Sequence, residues 1–220
     1  MRTKIGLERS QENEWKMVWK RKNIYTYIVD RGREFYNYFF RRVLRRYINS
    51  ETKILELGCG TAMLVTSLAN EVKQVVGLDI SPDSLILSKE NALKVGASNT
   101  KFVLGDCKNV QYSNEFNFVW SNGLIEHFDD PAEIVRQHYK VAKKGGTVLI
   151  SVPYYYSYHK LWYLISRPKL FRWLWLWLDA EQIFFTKKML HDIGKSLTPN
   201  YRVFFLHPAI LGIVFLELRK

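Results

Sequence analysis

A chain of 220 residues can bury one sizeable core and is short for two, so a single domain is expected. Two cysteines, Cys59 and Cys107, exclude a disulfide framework and fit a reduced compartment. The longest apolar stretch, Leu161 to Leu178, is broken by Ser166-Arg167-Pro168-Lys169 and is no membrane span, Met1 to Ser10 lacks the form of a secretory leader, and a cytoplasmic protein is expected.

The formal net charge of +12 is uneven. Up to Ser50 there are thirteen Lys or Arg against five acids, which supplies +8 of the total. Such a segment suits anionic partners: phospholipid headgroups, a phosphorylated substrate or nucleic acid. A solvated basic face without a partner is the plainer alternative.

In chain order, apolar residues at helical spacing predict helices over Gln11 to Val29 and Arg33 to Ile48, the second with an i, i+4 row of Phe35, Phe39, Val43 and Tyr47. Arg41, Arg42, Arg45 and Arg46 lie near its C-terminal end, where they complement the helix dipole. Beyond Ser50 strands and helices alternate: strand Lys53 to Leu57, helix Met63 to Glu71, strand Gln74 to Leu78, helix Pro82 to Val95 capped by Ser81, strand Thr100 to Leu104, strand Phe116 to Ser121, helix Pro131 to Ala142 and, after Lys143-Lys144-Gly145-Gly146, strand Thr147 to Val152. This is the pattern of an α/β protein with a doubly wound parallel sheet and ligands at the carboxyl ends of its strands. From Tyr154 to Leu178 the composition turns aromatic and basic without an acid, which reads as an inserted lid. A helix over Lys187 to Lys195 and strands Tyr201 to Leu206 and Ile210 to Leu218 follow, the last two as an antiparallel closing pair. The expected organisation is one domain, with a helical cap over 1–50, a ligand-binding core over 51–152, the aromatic lid over 153–185 and the closing helix and strand pair over 186–220.

The chemistry concentrates at three strand ends. Gly58 and Gly60 after the first strand let backbone turn sharply and approach a ligand, and Asp79 at the tip of the second can accept both hydroxyls of a ribose. A dinucleotide fold wants a third glycine, where this chain has Ala62 and then Met63, so a pyrophosphate ligand is disfavoured. The run Glu56-Leu57-Gly58-Cys59-Gly60-Thr61-Ala62 resembles motif I of the class I S-adenosylmethionine-dependent methyltransferases. Gly77-Leu78-Asp79-Ile80-Ser81 resembles that family's ribose-binding segment, Gly105-Asp106-Cys107 its adenine-contacting turn, and Phe116 to Phe128 its fourth strand with the following segment. The resemblance covers about Lys53 to Val152 and implies a Rossmann-like seven-stranded sheet, mostly parallel with a C-terminal antiparallel strand. It also implies S-adenosyl-L-methionine as cofactor, held by Glu56 at the ammonium, by Gly58, Cys59 and Gly60 at the methionine portion, by Asp79 and Ile80 at the ribose, by Asp106 and Cys107 at the adenine, and by Ser121 and Asn122 at the end of the fourth strand.

Ser121-Asn122-Gly123-Leu124 lacks the Pro-Pro-Tyr that clamps a planar amine, so methylation of a nucleobase amino group is disfavoured. Glu126-His127-Phe128 resembles small-molecule methyltransferases of quinone biosynthesis, and His127 is the expected catalytic residue, since an imidazole titrates near neutral pH and can take a proton from an acceptor hydroxyl. Ordering the loop after the fourth strand is its structural alternative. Glu126, Asp129 and Asp130 lack metal-ligand spacing, and no metal is expected. Tryptophan and tyrosine mixed with lysine and arginine in Tyr154 to Leu178 suit an anionic membrane surface or a large apolar acceptor such as a lipid or quinone precursor. Packing under the lid, or a homodimer interface, would use the same residues, and single-stranded RNA is a weaker fit. The expected activity is transfer of a methyl group to an oxygen, less readily a nitrogen or carbon, of an apolar or anionic small molecule. A protein or RNA methyltransferase, and a non-catalytic nucleoside-binding scaffold, are the alternatives.

Overall fold

A computed structural model of the protein describes residues 24–166 and 182–220. The helix α1 spans Ile24–Leu44. Where the spacing predicted two helices, one helix runs through Asp30 to Gly32, and it stops at Leu44 rather than Ile48. The remainder of the first predicted helix, and Trp173, Trp175 and Trp177 of the aromatic stretch, lie outside the described residues. Phe40, Val43 and Leu44 are buried on the sheet, and of the predicted apolar row Phe39, Val43 and Tyr47 pack on the core while Phe35 is 57% exposed. Tyr47, past the helix end, stacks on Phe118 with ring centroids 5.6 Å apart.

Seven strands form one sheet: β1 Lys53–Leu57, β2 Gln74–Asp79, β3 Thr100–Leu104, β4 Phe116–Asn122, β5 Ala142–Pro153, β6 Tyr201–Phe205 and β7 Ile213–Arg219, in the order β3-β2-β1-β4-β5-β7-β6. The first five are parallel, and β7 runs antiparallel to both β5 and β6. The strand order reverses between β1 and β4, and in open sheets of this kind the crevice outside the carboxyl ends at that reversal is where ligands bind. Strands β1 and β4 are apolar on both faces because helices cover both. On one side α1, α2 (Met63–Thr66) and α3 (Pro82–Lys94) pack Phe40, Leu44, Val65 and Leu85 against Ile54, Phe118, Trp120 and Phe215. On the other, α4 (Pro131–Val141) and α6 (Lys187–Leu197) pack Ile134, Val135 and Leu190 against Leu55, Val119 and Ile150.

Boundaries shift where local geometry outweighs periodicity. The helix predicted from Met63 ends at Thr66, and Ala69–Glu71 forms a separate 3-10 turn. Strand β5 already pairs with β4 at Ala142, then resumes register at Thr147 after an excursion through the Lys-Lys-Gly-Gly segment. The last strand starts at Ile213, because Ala209–Leu211 is a 3-10 turn. At the pole away from the strand tips, the buried Glu217 accepts from the Tyr47 hydroxyl at 2.8 Å, from Arg219 Nε at 2.9 Å and from Arg202, fastening the end of α1 to β6 and β7.

Gly77 lies opposite Glu56 in the sheet, and a Cβ there would meet Cys59 Sγ at 2.8 Å and Phe102 Cδ1 at 2.9 Å. Gly77→Val is expected to cost about 2 kcal/mol through overpacking, read as a lower urea midpoint at unchanged slope.

Candidate active site

The loop after β1 turns on three consecutive left-handed positions at alternate residues, Gly58 (φ 63°), Gly60 (φ 53°) and Ala62 (φ 49°). A Cβ at Gly58 would sit 2.5 Å from Leu124 Cδ1, so this glycine also lets the tip of β4 close over the loop. Ala62 takes the conformation a glycine would adopt freely, at a cost of about 1 kcal/mol, and its buried position at the start of α2 holds it there.

The loop is tied to β2 by backbone and by carboxylate. Cys59 N donates to Leu78 O at 3.1 Å. Asp79 Oδ2 accepts from Gly60 N at 2.7 Å, and Oδ1 from Ser81 N at 2.9 Å. Gly105 N donates to Asp79 O at 3.0 Å, which brings the turn after β3 alongside. From α3, Ser88 Oγ and Asn91 Nδ2 donate to the carbonyls of Gly60 and Thr61 at 2.7 and 3.0 Å. Asp106 Oδ1 closes its own turn by accepting from Lys108 N at 2.9 Å. Ile80 stands beside Asp79, 44% exposed. Both cysteines are buried: burial, with the charges of Glu56 and Asp79 nearby, holds the Cys59 thiol well above its usual range, and burial with Asp106 and Asp79 pushes Cys107 up to about 12. Neither is a thiolate nucleophile at neutral pH.

Behind the loop, Glu56 on β1 is buried with one oxygen satisfied and one not. Trp120 Nε1 donates to Oε1 at 2.9 Å, and Oε2 has no partner. Trp120 is itself held by the Phe40 ring of α1, edge-on at 5.7 Å. Burial, reinforced by the charge of Asp79 and opposed by the indole hydrogen bond, raises Glu56 to about 8. An uncompensated carboxylate here fits a cation, and the sequence reading named Glu56 without its support, because nothing in a lone Trp on β4 marks it as a hydrogen-bond donor rather than core.

At the end of β4 the predicted residues divide. Asn122 is exposed and accepts from Ser151 Oγ at 2.6 Å. The Ser121 side chain points away from the loop: it is fully buried and bonded to His138 Nε2 at 2.8 Å, while His138 Nδ1 reaches Ile134 O at 2.7 Å. Burial lowers His138 to about 4, so this pair is neutral. His127 closes the 3-10 turn Ile125–His127 and is partly buried. Its neighbour Glu126, weighed in the sequence only as a metal ligand, is 2% exposed with Oε2 unpartnered, and burial raises it to about 8. The Glu126 carbonyl accepts from Ile183 N at 2.8 Å, where the chain returns from the lid segment. Among the described residues no group of three His, Cys, Asp or Glu is arranged to hold a metal ion.

A family model described as a methyltransferase domain matches residues 48–199, from just before β1 into the start of the closing segment. The chain belongs to the class I S-adenosylmethionine-dependent methyltransferases. Among curated members of this family, the ubiquinone biosynthesis O-methyltransferase of Proteus mirabilis is 30% identical over 151 residues, covering 67% of this chain and 56% of the relative. The chain thus spans little more than half the length of that methyltransferase. Two solved methyltransferase structures share the fold at low identity. One, from Aquifex aeolicus, has a TM-score of 0.61 at 14% identity over 81% of this chain and 87% of that one, and the other, from Thermotoga maritima, has 0.64 at 18% over 89% and 97%.

The two buried acids make stability depend on pH. Unfolded, each ionises near 4.5; folded, each holds its proton up to about 8. Over that interval the folded chain binds protons the unfolded chain has released, so their contribution is greatest below about 4.5 and is lost as pH rises to about 8. In cofactor-free protein, Glu56→Gln and Glu126→Gln are each expected to flatten the decline of the thermal midpoint between pH 5 and 8 relative to wild type.

Proposed function

We propose that the chain transfers a methyl group from S-adenosylmethionine to an oxygen of an apolar or anionic small molecule. The observation that carries the donor half is the unpartnered, buried Oε2 of Glu56 behind the loop. A ligand ammonium supplies the charge and the hydrogen bond that this oxygen lacks, and the glycine turn in front of it leaves room for the rest of the methionine portion. Asp79 keeps free lone pairs on both carboxylate oxygens after accepting one backbone N–H each, so it accepts the ribose hydroxyls while holding the loop. Ile80 offers an apolar edge beside the ribose, and Asp106 and Cys107 frame the adenine.

The bound donor supplies an electrophilic methyl on a sulfonium. The protein then has to place an acceptor in line with it, exclude water and take up a proton. His127, in the turn that follows β4, is the residue assigned to that proton. Leu124 packs directly against Gly58 in the loop. Support for oxygen as the acceptor comes from the named activity of the curated relative and from the absence of an amine-clamping Pro-Pro-Tyr after Asn122. A lipid or quinone precursor is the acceptor class that the aromatic composition after Pro153 favours. Methylation of protein or RNA, and a scaffold without turnover, are the readings it displaces. A cytoplasmic protein able to reach a membrane surface accords with this class of acceptor.

Two measurements test the two halves. By calorimetry, Asp79→Ala is expected to weaken S-adenosylmethionine at least about 100-fold, because it removes a charged acceptor and frees the loop; unchanged affinity would remove the donor site. With methyl-labelled donor, label is expected in the apolar small-molecule fraction and not in protein or RNA, and His127→Ala is expected to lower the rate about 100-fold or more at unchanged donor affinity. Label in another fraction, or in none, overturns the acceptor assignment.

A further inference from the structure

Three elements meet beside the strand tips on the β5 and β7 flank: α1, α5 (Tyr158–Ser166) and the 3-10 turn Ala209–Leu211. The Tyr36 hydroxyl lies 3.4 Å from Leu211 O and 3.5 Å from His159 Nε2, and His159 Nε2 lies 3.0 Å from the same carbonyl. Around this junction the flanking side chains point to solvent although they are apolar or aromatic: Phe35 57%, Tyr38 60%, Tyr158 46%, Leu161 60%, Leu164 53% and Ile210 79% exposed. Large apolar side chains left exposed on three elements that meet mark a contact surface rather than scattered surface residues.

The charge around the face selects its partner. Residues 31–44 of α1 carry four arginines and one acid, and α5 carries Lys160 and no acid. A second copy of the chain would bring like charges together. Single-stranded nucleic acid would want stacking rings, where Leu161, Leu164 and Ile210 offer none. A bilayer of anionic phospholipid meets both requirements, with leucine and isoleucine entering the acyl boundary, tyrosine at headgroup depth and basic groups against phosphate.

We propose that this face docks the protein on an anionic phospholipid surface with the strand tips beside the bilayer. Docking is read without turnover, so it stands or falls separately from the methyl-transfer proposal. The test is flotation of the full chain with vesicles of phosphatidylcholine alone or mixed with phosphatidylglycerol. The chain is expected to float with the mixed vesicles, and Leu161→Ser/Leu164→Ser and Phe35→Ser/Tyr38→Ser are each expected to reduce the partition coefficient at least about tenfold, with circular dichroism and S-adenosylmethionine affinity retained. Absence of flotation overturns the proposal. So does equal flotation of the variants, or a wild-type dimer in sedimentation velocity that the same substitutions dissociate. RNA binding lost in those variants while flotation persists also overturns it.

Discussion

The carboxylate of Asp79 is the point through which the site is assembled. One oxygen receives the amide of Gly60 across the gap between β1 and β2, the other receives the amide that opens the turn into α3, and the Asp79 carbonyl receives Gly105 from the turn after β3. A loop with left-handed residues at 58, 60 and 62 has few internal hydrogen bonds and would otherwise sample many shapes. Charge-assisted bonds to backbone amides are stronger than neutral ones, so the Asp79 side chain fixes the loop after β1 against the turn into α3, while its backbone carbonyl holds the turn after β3. The same carboxylate is then available to a ligand already in the right orientation, which is the condition for positioning rather than covalent catalysis.

A second feature follows from burial. The chain is strongly basic overall, yet among the described residues no lysine or arginine is salt-bridged to Glu56, Asp79, Asp106 or Glu126, the acids at or just past the strand ends. Burying Glu56 with one oxygen unpartnered costs stability that a protein does not retain without use. In the proposed function the ammonium of the donor is what would recover that cost on binding. Glu126 poses the same physical problem in the 3-10 turn past β4, next to His127 and with its carbonyl bonded to Ile183 N, so a second buried acid there prefers its proton.

Much of this was legible in the sequence because it depends on short-range patterns. Apolar runs ending at Gly58 and Asp79, and Ser81-Pro82 opening a helix, state their geometry locally, and the sheet they predict is the sheet observed. The N-terminal helix was harder: apolar spacing left Asp30 to Gly32 between two helices, whereas one helix runs through them and packs Phe40, Val43 and Leu44 on the sheet. That packing leaves Phe35 exposed. Gly58, Gly60 and Asp79 stood out in the sequence by their places at strand ends and Glu56 by the family resemblance, but the burial of Glu126 and the Trp120 bond to Glu56 did not, because they depend on long-range packing and, for that bond, on a partner 64 residues away. Ser121 shows the converse. Its place at a strand end suggested a ligand, and only the pleat of β4, which turns residue 121 toward His138, reveals that its hydroxyl is already engaged.

Helix α1 borders both the strand-tip loop and the exposed apolar face. Its inner face places Phe40 against Trp120, whose indole holds Glu56 behind the loop. Its outer face, within one and a half turns, leaves Phe35 and Tyr38 in solvent beside α5. The inner contacts are part of the core and tolerate little change in volume, whereas Phe35 and Tyr38 point away from Trp120 and the loop after β1. Because the two faces are separate on one rigid helix, the outer one is free to be shaped by whatever surface it meets, without disturbing the carboxylate behind it. That division explains how exposed aromatic side chains, a liability on an ordinary surface, can persist next to a site whose geometry depends on tight packing.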